Sequence, residues 1–575
     1  MPLPDSLLTA PLHDFDLSLV AGTWPRELTG EVFLSAPQID QRLDYQLFGF
    51  GAIVRISLQP GMHGADIDKF AVRTRVLDTP VKRLHDRVSE AFRGGRFGLE
   101  SPFGHANMAN TAPLAMNGRM FATWDVGRPV EFDPVSLAFL GEVGSAASWG
   151  GDSMGQRKLL PQIFSTAHPV VDPDRNCIWS AKLVPAGGGQ QPIVVRWDGA
   201  SNDVTTWPLT GAVVHGSMHS VSQTRDWLVL SDSGNFKLDI DEVFGKPRTV
   251  TIDDSVSVYF VRKESLERTP AGSAVEWRRG AFGPTTGHYF ARWDDTNGID
   301  ILAEHMDRTD LGYRLERDDV DVNGRPINPR HVGFYNMGMA SQSVSELHFD
   351  VNTTSPDDVI AAQVTARFND GEMWNTQLSA MDWSVDGLTN PDKHHLVTQG
   401  RRPQMIAERV VHCYGNRVER KNFGAPESMA RLVTLQRGSL GVHSEYHFPS
   451  LGDMPSSPTF VQRPGGRAGG GDGWVIVNVL SDDGFRVECF DAARVSGGPI
   501  AVLRSVGRDR LPFLLHSVLT TSARPAPRIE RLSPATELLA ETSVRAREKL
   551  PDALRAAVHE VAESFSGASA APLGG

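Results

Sequence analysis

The strongest constraint on what this 575-residue chain can fold into is the placing of four histidines. His168, His219, His288 and His516 each sit in or beside a short apolar run with the character of a β-strand. Their settings are Thr166-Ala167-His168-Pro169, Met218-His219-Ser220-Val221, Gly287-His288-Tyr289-Phe290 and Leu514-Leu515-His516-Ser517-Val518. Gaps of 51, 69 and 228 residues mean that no single helix or hairpin can bring these rings together. A radial β-propeller can, because every blade carries its innermost strand to the central axis. Imidazole suits iron, copper and zinc, and a site of neutral nitrogens leaves the metal's full charge available to a bound ligand.

The rest of the chain reads as β-structure over most of its length. Strand-like runs are expected at Arg119–Asp125, Cys177–Leu183, Trp227–Ser231, Val359–Phe368, Ala430–Leu435 and Trp474–Leu480, the last nearly all apolar as a strand buried on both faces should be. Turn chemistry separates them, as in Asp172-Pro173-Asp174-Arg175-Asn176, Asp482-Asp483-Gly484 and the glycine-rich Gly465–Gly473, and the 55 Gly and 37 Pro supply many such turns. No repeat is strict enough to count blades. From about Pro534 the pattern changes to helical spacing, with Leu538, Leu539, Val544 and Leu550, then Leu554, Val558, Val561 and Phe565, and with Pro551 suited to a helix's first turn. The expected organisation is a β-propeller body over residues 1–530 and a helical C-terminal extension over 531–575 that ends in a disordered Ser-Ala-Gly-rich tail.

A net charge of −12 with no basic stripe argues against a nucleic-acid partner. Cys177, Cys413 and Cys489 are far apart and form no C-x-x-C pair, so neither a disulfide framework nor a thiolate zinc site is indicated and a reducing cytoplasm fits. The N-terminus Met1-Pro2-Leu3-Pro4-Asp5 lacks the basic and apolar regions of a secretory signal, and no stretch of about 18 apolar residues occurs. Leu159-Leu160-Pro161-Gln162-Ile163-Phe164 could touch a membrane surface to collect a lipid-like substrate, although burial in the core is the preferred reading.

Several blocks together resemble the carotenoid cleavage oxygenase family. Val20-Ala21-Gly22-Thr23-Trp24-Pro25-Arg26-Glu27-Leu28-Thr29-Gly30 resembles its opening motif. Ala109-Asn110-Thr111, Arg119 to Gly127 and Glu131-Phe132-Asp133-Pro134 are similar to the next block, and Thr166–Pro169 and Met218–Ser220 to its first two ligand motifs. Pro326–Gly333, Pro458–Pro464 with Gly473-Trp474, and Leu515–Val518 resemble later blocks, so the likeness spans about residues 20 to 520. It implies a seven-bladed, all-β propeller with helical loops. It also implies a non-haem Fe(II) on His168, His219, His288 and His516, with dioxygen splitting a conjugated C=C bond of an apolar substrate into two carbonyl products. For the third ligand His288 is preferred to His305, one strand later.

Against that pattern, the carboxylates that steady the family's histidines look depleted. Asp125 stands at the first such place, whereas Asn323 and Ser457 occupy the other two. Phe48–Ala52 is a degraded glycine motif, and the stretch 341–455 is longer than the family requires. Members that cleave hydroxylated stilbenes tend to carry a lysine beside the first acid, where this chain has Trp124, so the resemblance favours a carotenoid or apocarotenoid substrate over a stilbene. The thinner carboxylate shell also motivates a reading as a propeller isomerase or lipid-binding scaffold. His215, His394 and His395 are expected to be structural, the last two in a polar loop.

Overall fold

A computed structural model describes residues 11–567 except 39–48, 64–65, 93–99, 151–157, 234–235, 238–254, 284–287, 307–308, 311–314, 335–340, 353–357, 375, 379–390, 412–418, 468, 470 and 541–542. The fold is all-β and propeller-like, with few helices. Five separate sheets of four or five strands follow one another along the chain, beginning at Ala112–Met116, Phe164–Ser165, Val221–Gln223, Tyr289–Ala291 and Thr376–Leu378. The remaining large sheet has eleven strands. In it the first strand, Phe15–Gly22, pairs antiparallel with Ala501–Ser505, and Ser517–Thr520 pairs with Glu31–Gln38, so the two ends of the chain are hydrogen-bonded into one sheet.

The expected seven separate blades are therefore corrected to five, with the other strands running on as a single sheet. That continuity comes from pairing between residues nearly 500 positions apart, Gly22 against Ala501, which leaves no local signature. It also explains one glycine of the opening motif. Gly22 has φ +74°, and a β-carbon there would run into the backbone of Ile500.

Local chemistry sets the strands much as expected. Gly473–Ser481 is buried along its whole length, and its apolar side chains feed two different core clusters, Trp474, Ile476 and Leu480 one and Val475, Val477 and Val479 the other. Asp172 turns the chain at the first loop by accepting the backbone N–H groups of Asp174 and Arg175 at 3.1 and 3.0 Å, and Asn176 takes φ +49° before the strand Cys177–Ala186 starts. Residues 341–455 supply the strands Ser343–Phe349 and Gln363–Phe368 and a whole sheet from Thr376–Leu378 to Gly441–His447. Within it His394 and His395 lie on the strand Lys393–Thr398, buried, and not in a loop. Their partners are Glu346 and Thr434, as befits structural histidines.

C-terminal helices Pro534–Leu538, Val544–Glu548 and Asp552–Gly567 lie against the body. Leu538, Leu550, Val558 and Val561 are buried in the main core cluster, whereas Leu539 is 38% exposed and Val544 is only half-buried, so the helical stripe is two residues narrower than its sequence suggests. Charge holds the extension as well. Arg531 forms a two-point ion pair with buried Glu131, and Glu537 pairs with Arg128 and accepts the backbone N–H of Ala146 at 2.7 Å. The expected disordered tail lies outside the described residues. Among the described residues no helix is long and apolar enough to cross a membrane, and Leu159, Leu160 and Ile163 are turned into the body.

Candidate metal centre

The four histidines occupy equivalent places. His168, His219, His288 and His516 stand one or two residues before the strands Val170–Asp172, Val221–Gln223, Tyr289–Ala291 and Ser517–Thr520 respectively. Backbone hydrogen bonds lock neighbours together at this point. Ala167 and His168 both donate their N–H to His219 O, and Val221 N–H returns to His168 O at 3.0 Å. Tyr289 extends the chain of links, its hydroxyl donating to Ser220 O at 2.6 Å and accepting the backbone N–H of Ser231 at 2.9 Å. His516 O accepts the N–H of Ser35, which anchors the last histidine to the N-terminal strands.

The side chains converge. Ring centroids lie 4.8 Å apart for His168 and His219, 4.4 Å for His168 and His516, 5.1 Å for His219 and His288, and 5.2 Å for His288 and His516. Nitrogens of His168, His288 and His516 fall within 4.8 Å of one another, and all four rings are at least nine-tenths buried. His305, the alternative third ligand, is outside this group and rests edge-on to Phe282. The reason is register. Glu304 and His305 are adjacent on the strand Ile299–His305, so their side chains leave opposite faces, and Glu304 takes the face that meets His288.

Two carboxylates steady two of the rings. His219 Nδ1–H donates to Asp125 Oδ1 at 2.8 Å, and His288 Nδ1–H donates to Glu304 Oε2 at 2.9 Å. Asp125 is where the sequence placed a supporting acid, but Glu304 was missed in that role, and the available signal was a carboxylate directly following the apolar run Ile301-Leu302-Ala303. The places assigned to Asn323 and Ser457 supply no acid. Asn323 is exposed in a turn built on Asp321, and Ser457 is buried. The carboxylate shell is thus stronger than expected.

These bonds decide what the centre can hold. With both Nδ1 protons committed to carboxylates, the Nε2 atoms of His219 and His288 are left as lone-pair donors, and they face each other at 3.2 Å. Two lone pairs that close repel unless they share a cation, and nitrogens bound side by side to one metal at about 2.1 Å would stand about 3 Å apart. His168 Nε2 is buried with no hydrogen-bond partner among the described residues. Burial first, and then the rings of His516, His219 and His288, hold His168 well below the ordinary imidazole value, so it is uncharged and available as a ligand at neutral pH. The donor set therefore fits a divalent transition metal.

Residues 9–520 match the family profile described as RPE65, retinal pigment epithelial membrane protein. The chain belongs to this carotenoid oxygenase family and is an enzyme of the carotenoid-cleavage type. Among relatives, resveratrol cleavage oxygenase 1 of Chaetomium globosum is 23% identical over 530 residues, covering 84% of this chain and 82% of that one. Two solved structures share the fold. Pseudomonas brassicacearum lignostilbene dioxygenase has a TM-score of 0.57 at 15% identity, covering 90% of this chain and 99% of its own. Cobalt-substituted Synechocystis apocarotenoid oxygenase has a TM-score of 0.58 at 16% identity, covering 90% and 98%.

Proposed function

We propose that the protein is a non-haem Fe(II) dioxygenase that cleaves a conjugated C=C bond of an apolar carotenoid or apocarotenoid into two carbonyl products, with His168, His219, His288 and His516 as iron ligands. The observation that carries this reading is the pair of facing Nε2 atoms of His219 and His288, each ring fixed from behind by a carboxylate. Ferrous iron, when bound, supplies the activation of dioxygen. The chain's own part is to hold neutral imidazoles in one orientation, through Asp125 and Glu304, and to keep water from the reacting bond, which the nine-tenths burial of all four rings favours. No proton-transferring side chain is needed for this cleavage. Residues 1–530 form the catalytic body in this reading, and 531–575 a helical extension to it.

The substrate assignment rests on Trp124. It precedes Asp125, is buried, and its ring lies nearly parallel to the uncharged His105 at 6.5 Å, so neither of these two side chains offers a cation to a phenolate. A hydroxystilbene is the second reading, favoured by the likeness to a resveratrol-cleaving relative over 84% of the chain. Anaerobic purification with metal analysis, followed by incubation with an apocarotenal and with a hydroxystilbene under labelled dioxygen, tests both. About one iron per chain and labelled aldehyde from the apocarotenal are expected, with iron and turnover both lost in His516→Ala. Labelled product from the stilbene alone would replace the substrate, and iron retained in His516→Ala would overturn the ligand set.

A further inference from the structure

The innermost strands that carry the histidines are joined in two different ways. Between the sheets of His168 and His219 the joint rests on backbone bonds, with the N–H groups of Ala167 and His168 donating to His219 O and that of Val221 to His168 O. Between Val221–Gln223 and Tyr289–Ala291, the strands that follow His219 and His288, no backbone hydrogen bond runs among the described residues. One comes only past the opposite ends of both strands, from Arg225 N–H to Trp293 O at 2.9 Å. Nearer the histidines two side chains make the joint. The Tyr289 hydroxyl donates to Ser220 O at 2.6 Å and accepts the N–H of Ser231 at 2.9 Å, and in return Ser222 Oγ accepts the N–H of Ala291 at 2.7 Å. Tyr289, Ser220 and Ser222 are all more than nine-tenths buried.

This joint spans the two rings whose Nε2 atoms face each other at 3.2 Å. The carboxylates do not fix that separation. Asp125 reaches His219 from just after Arg119–Thr123, and Glu304 lies on the strand paired with Tyr289–Ala291, so each sets how one ring turns and neither ties the strand of one ring to the strand of the other. Nitrogens that share a metal at about 2.1 Å tolerate displacements of only about 0.5 Å. A buried hydroxyl bonded through both its proton and its oxygen can hold a strand that closely, since releasing it leaves a carbonyl and an N–H of the main chain unmet.

We infer that Tyr289, with Ser222 beside it, is a positioning residue of this centre. The two side chains clasp the strand after His219 to the strand after His288, and that clasp sets the separation of the two Nε2 atoms, and with it the affinity of the site and the field felt by a bound metal. The inference rests on the reading of these histidines as metal ligands and gives a role in it to side chains that act only through them.

Cobalt(II) added to the full-length protein tests it, because the visible absorption of the ion reports the geometry of its ligands and its affinity can be measured by chelator competition. Tyr289→Phe keeps the ring, removes the hydroxyl, and should weaken cobalt binding about tenfold or more while shifting the absorption bands. Ser222→Ala opens the return bond and should weaken binding roughly threefold with a shift of the bands, so it carries the test if Tyr289→Phe does not fold. Tyr259→Phe is the matched control, since Tyr259 is also buried and its hydroxyl donates to Val213 O and accepts Val213 N–H, upstream of His219. It should lose as much denaturant-derived stability as Tyr289→Phe yet keep the wild-type spectrum and an affinity within about twofold. Wild-type affinity and spectrum in Tyr289→Phe, or in Ser222→Ala should Tyr289→Phe not fold, would overturn the clasp, and so would an equal loss in Tyr259→Phe. His288→Ala keeps this apart from the ligand reading: cobalt retained there sinks the ligand assignment, whereas cobalt lost there and unchanged in Tyr289→Phe sinks the clasp alone.

Discussion

The carboxylates behind His219 and His288 do the same chemical job from different mechanical positions. Glu304 is wholly buried in the middle of a sheet, and its own backbone N–H donates to His288 O at 3.0 Å, so acid and ring are joined twice, once through the ladder and once through the side chains. Asp125 comes just after the strand Arg119–Thr123, its side chain is 16% exposed, and its place depends on Ser165, whose N–H donates to Asp125 O at 2.7 Å and whose hydroxyl donates to Trp124 O at 3.0 Å. One ring is therefore positioned by sheet register, which cannot slip without turning every neighbouring side chain to the wrong face. The other is positioned by a loop, which can give. A metal centre built this way has a fixed side and an adjustable side.

The largest effect should come from the fixed side. His288→Ala should reduce iron from about one per chain to less than about a tenth and take alkene cleavage below detection, while His305→Ala leaves both within about twofold. Iron lost from His305→Ala and kept in His288→Ala would break the comparison at its root. Next, Glu304→Gln keeps the shape of the acid but removes the charge that holds the Nδ1 proton, and iron affinity measured by chelator competition should fall roughly 10- to 100-fold. Asp125→Asn should cost less, about tenfold or below, because the loop can shift and its carboxylate is not wholly shut off from solvent. An Asp125→Asn loss larger than that of Glu304→Gln would reverse the ranking of the two arms.

That ranking could not have been read from the sequence, although much around it could. The four histidines, the strand-like runs about them and the last helical stripe are local patterns, so His168, His219, His288 and His516 stood out before any fold was known. Glu304 did not, because its meaning comes from the pairing of Tyr289 with Ala303 across a hairpin, which turns residue 304 toward residue 288. Asn323 failed for the converse reason: alignment to a motif placed it behind a ring, while the turn built on Asp321 carries it out to solvent. The blade count failed because the pairing of Phe15–Gly22 with Ala501–Ser505 fuses strands from the two ends of the chain. His394 and His395 were read as loop residues on their polarity, yet Glu346 and Thr434 meet that polarity within the sheets.

His168 differs from both carboxylate-backed rings, and it gives the smallest and most specific prediction. Its Nε2 has no partner among the described residues, and burial followed by its three neighbouring rings keeps it neutral well below the ordinary imidazole value. In metal-free protein the unfolded chain takes up a proton at this residue as pH falls through about 6.5, while the folded chain refuses it, so folding free energy is fully present above that pH and drains away below it. One such proton is worth about 1.4 kcal/mol per pH unit. His168→Gln removes the titrating group and should flatten the decline in denaturant-derived stability between pH 6.5 and 5 by up to that slope. His105, held down to about 4 by burial, contributes a decline of the same sign in both proteins and cancels in the difference. Equal slopes in wild type and His168→Gln would mean that the folded ring does accept the proton, and that a carboxylate-free imidazole among three others is steadied by something other than its burial.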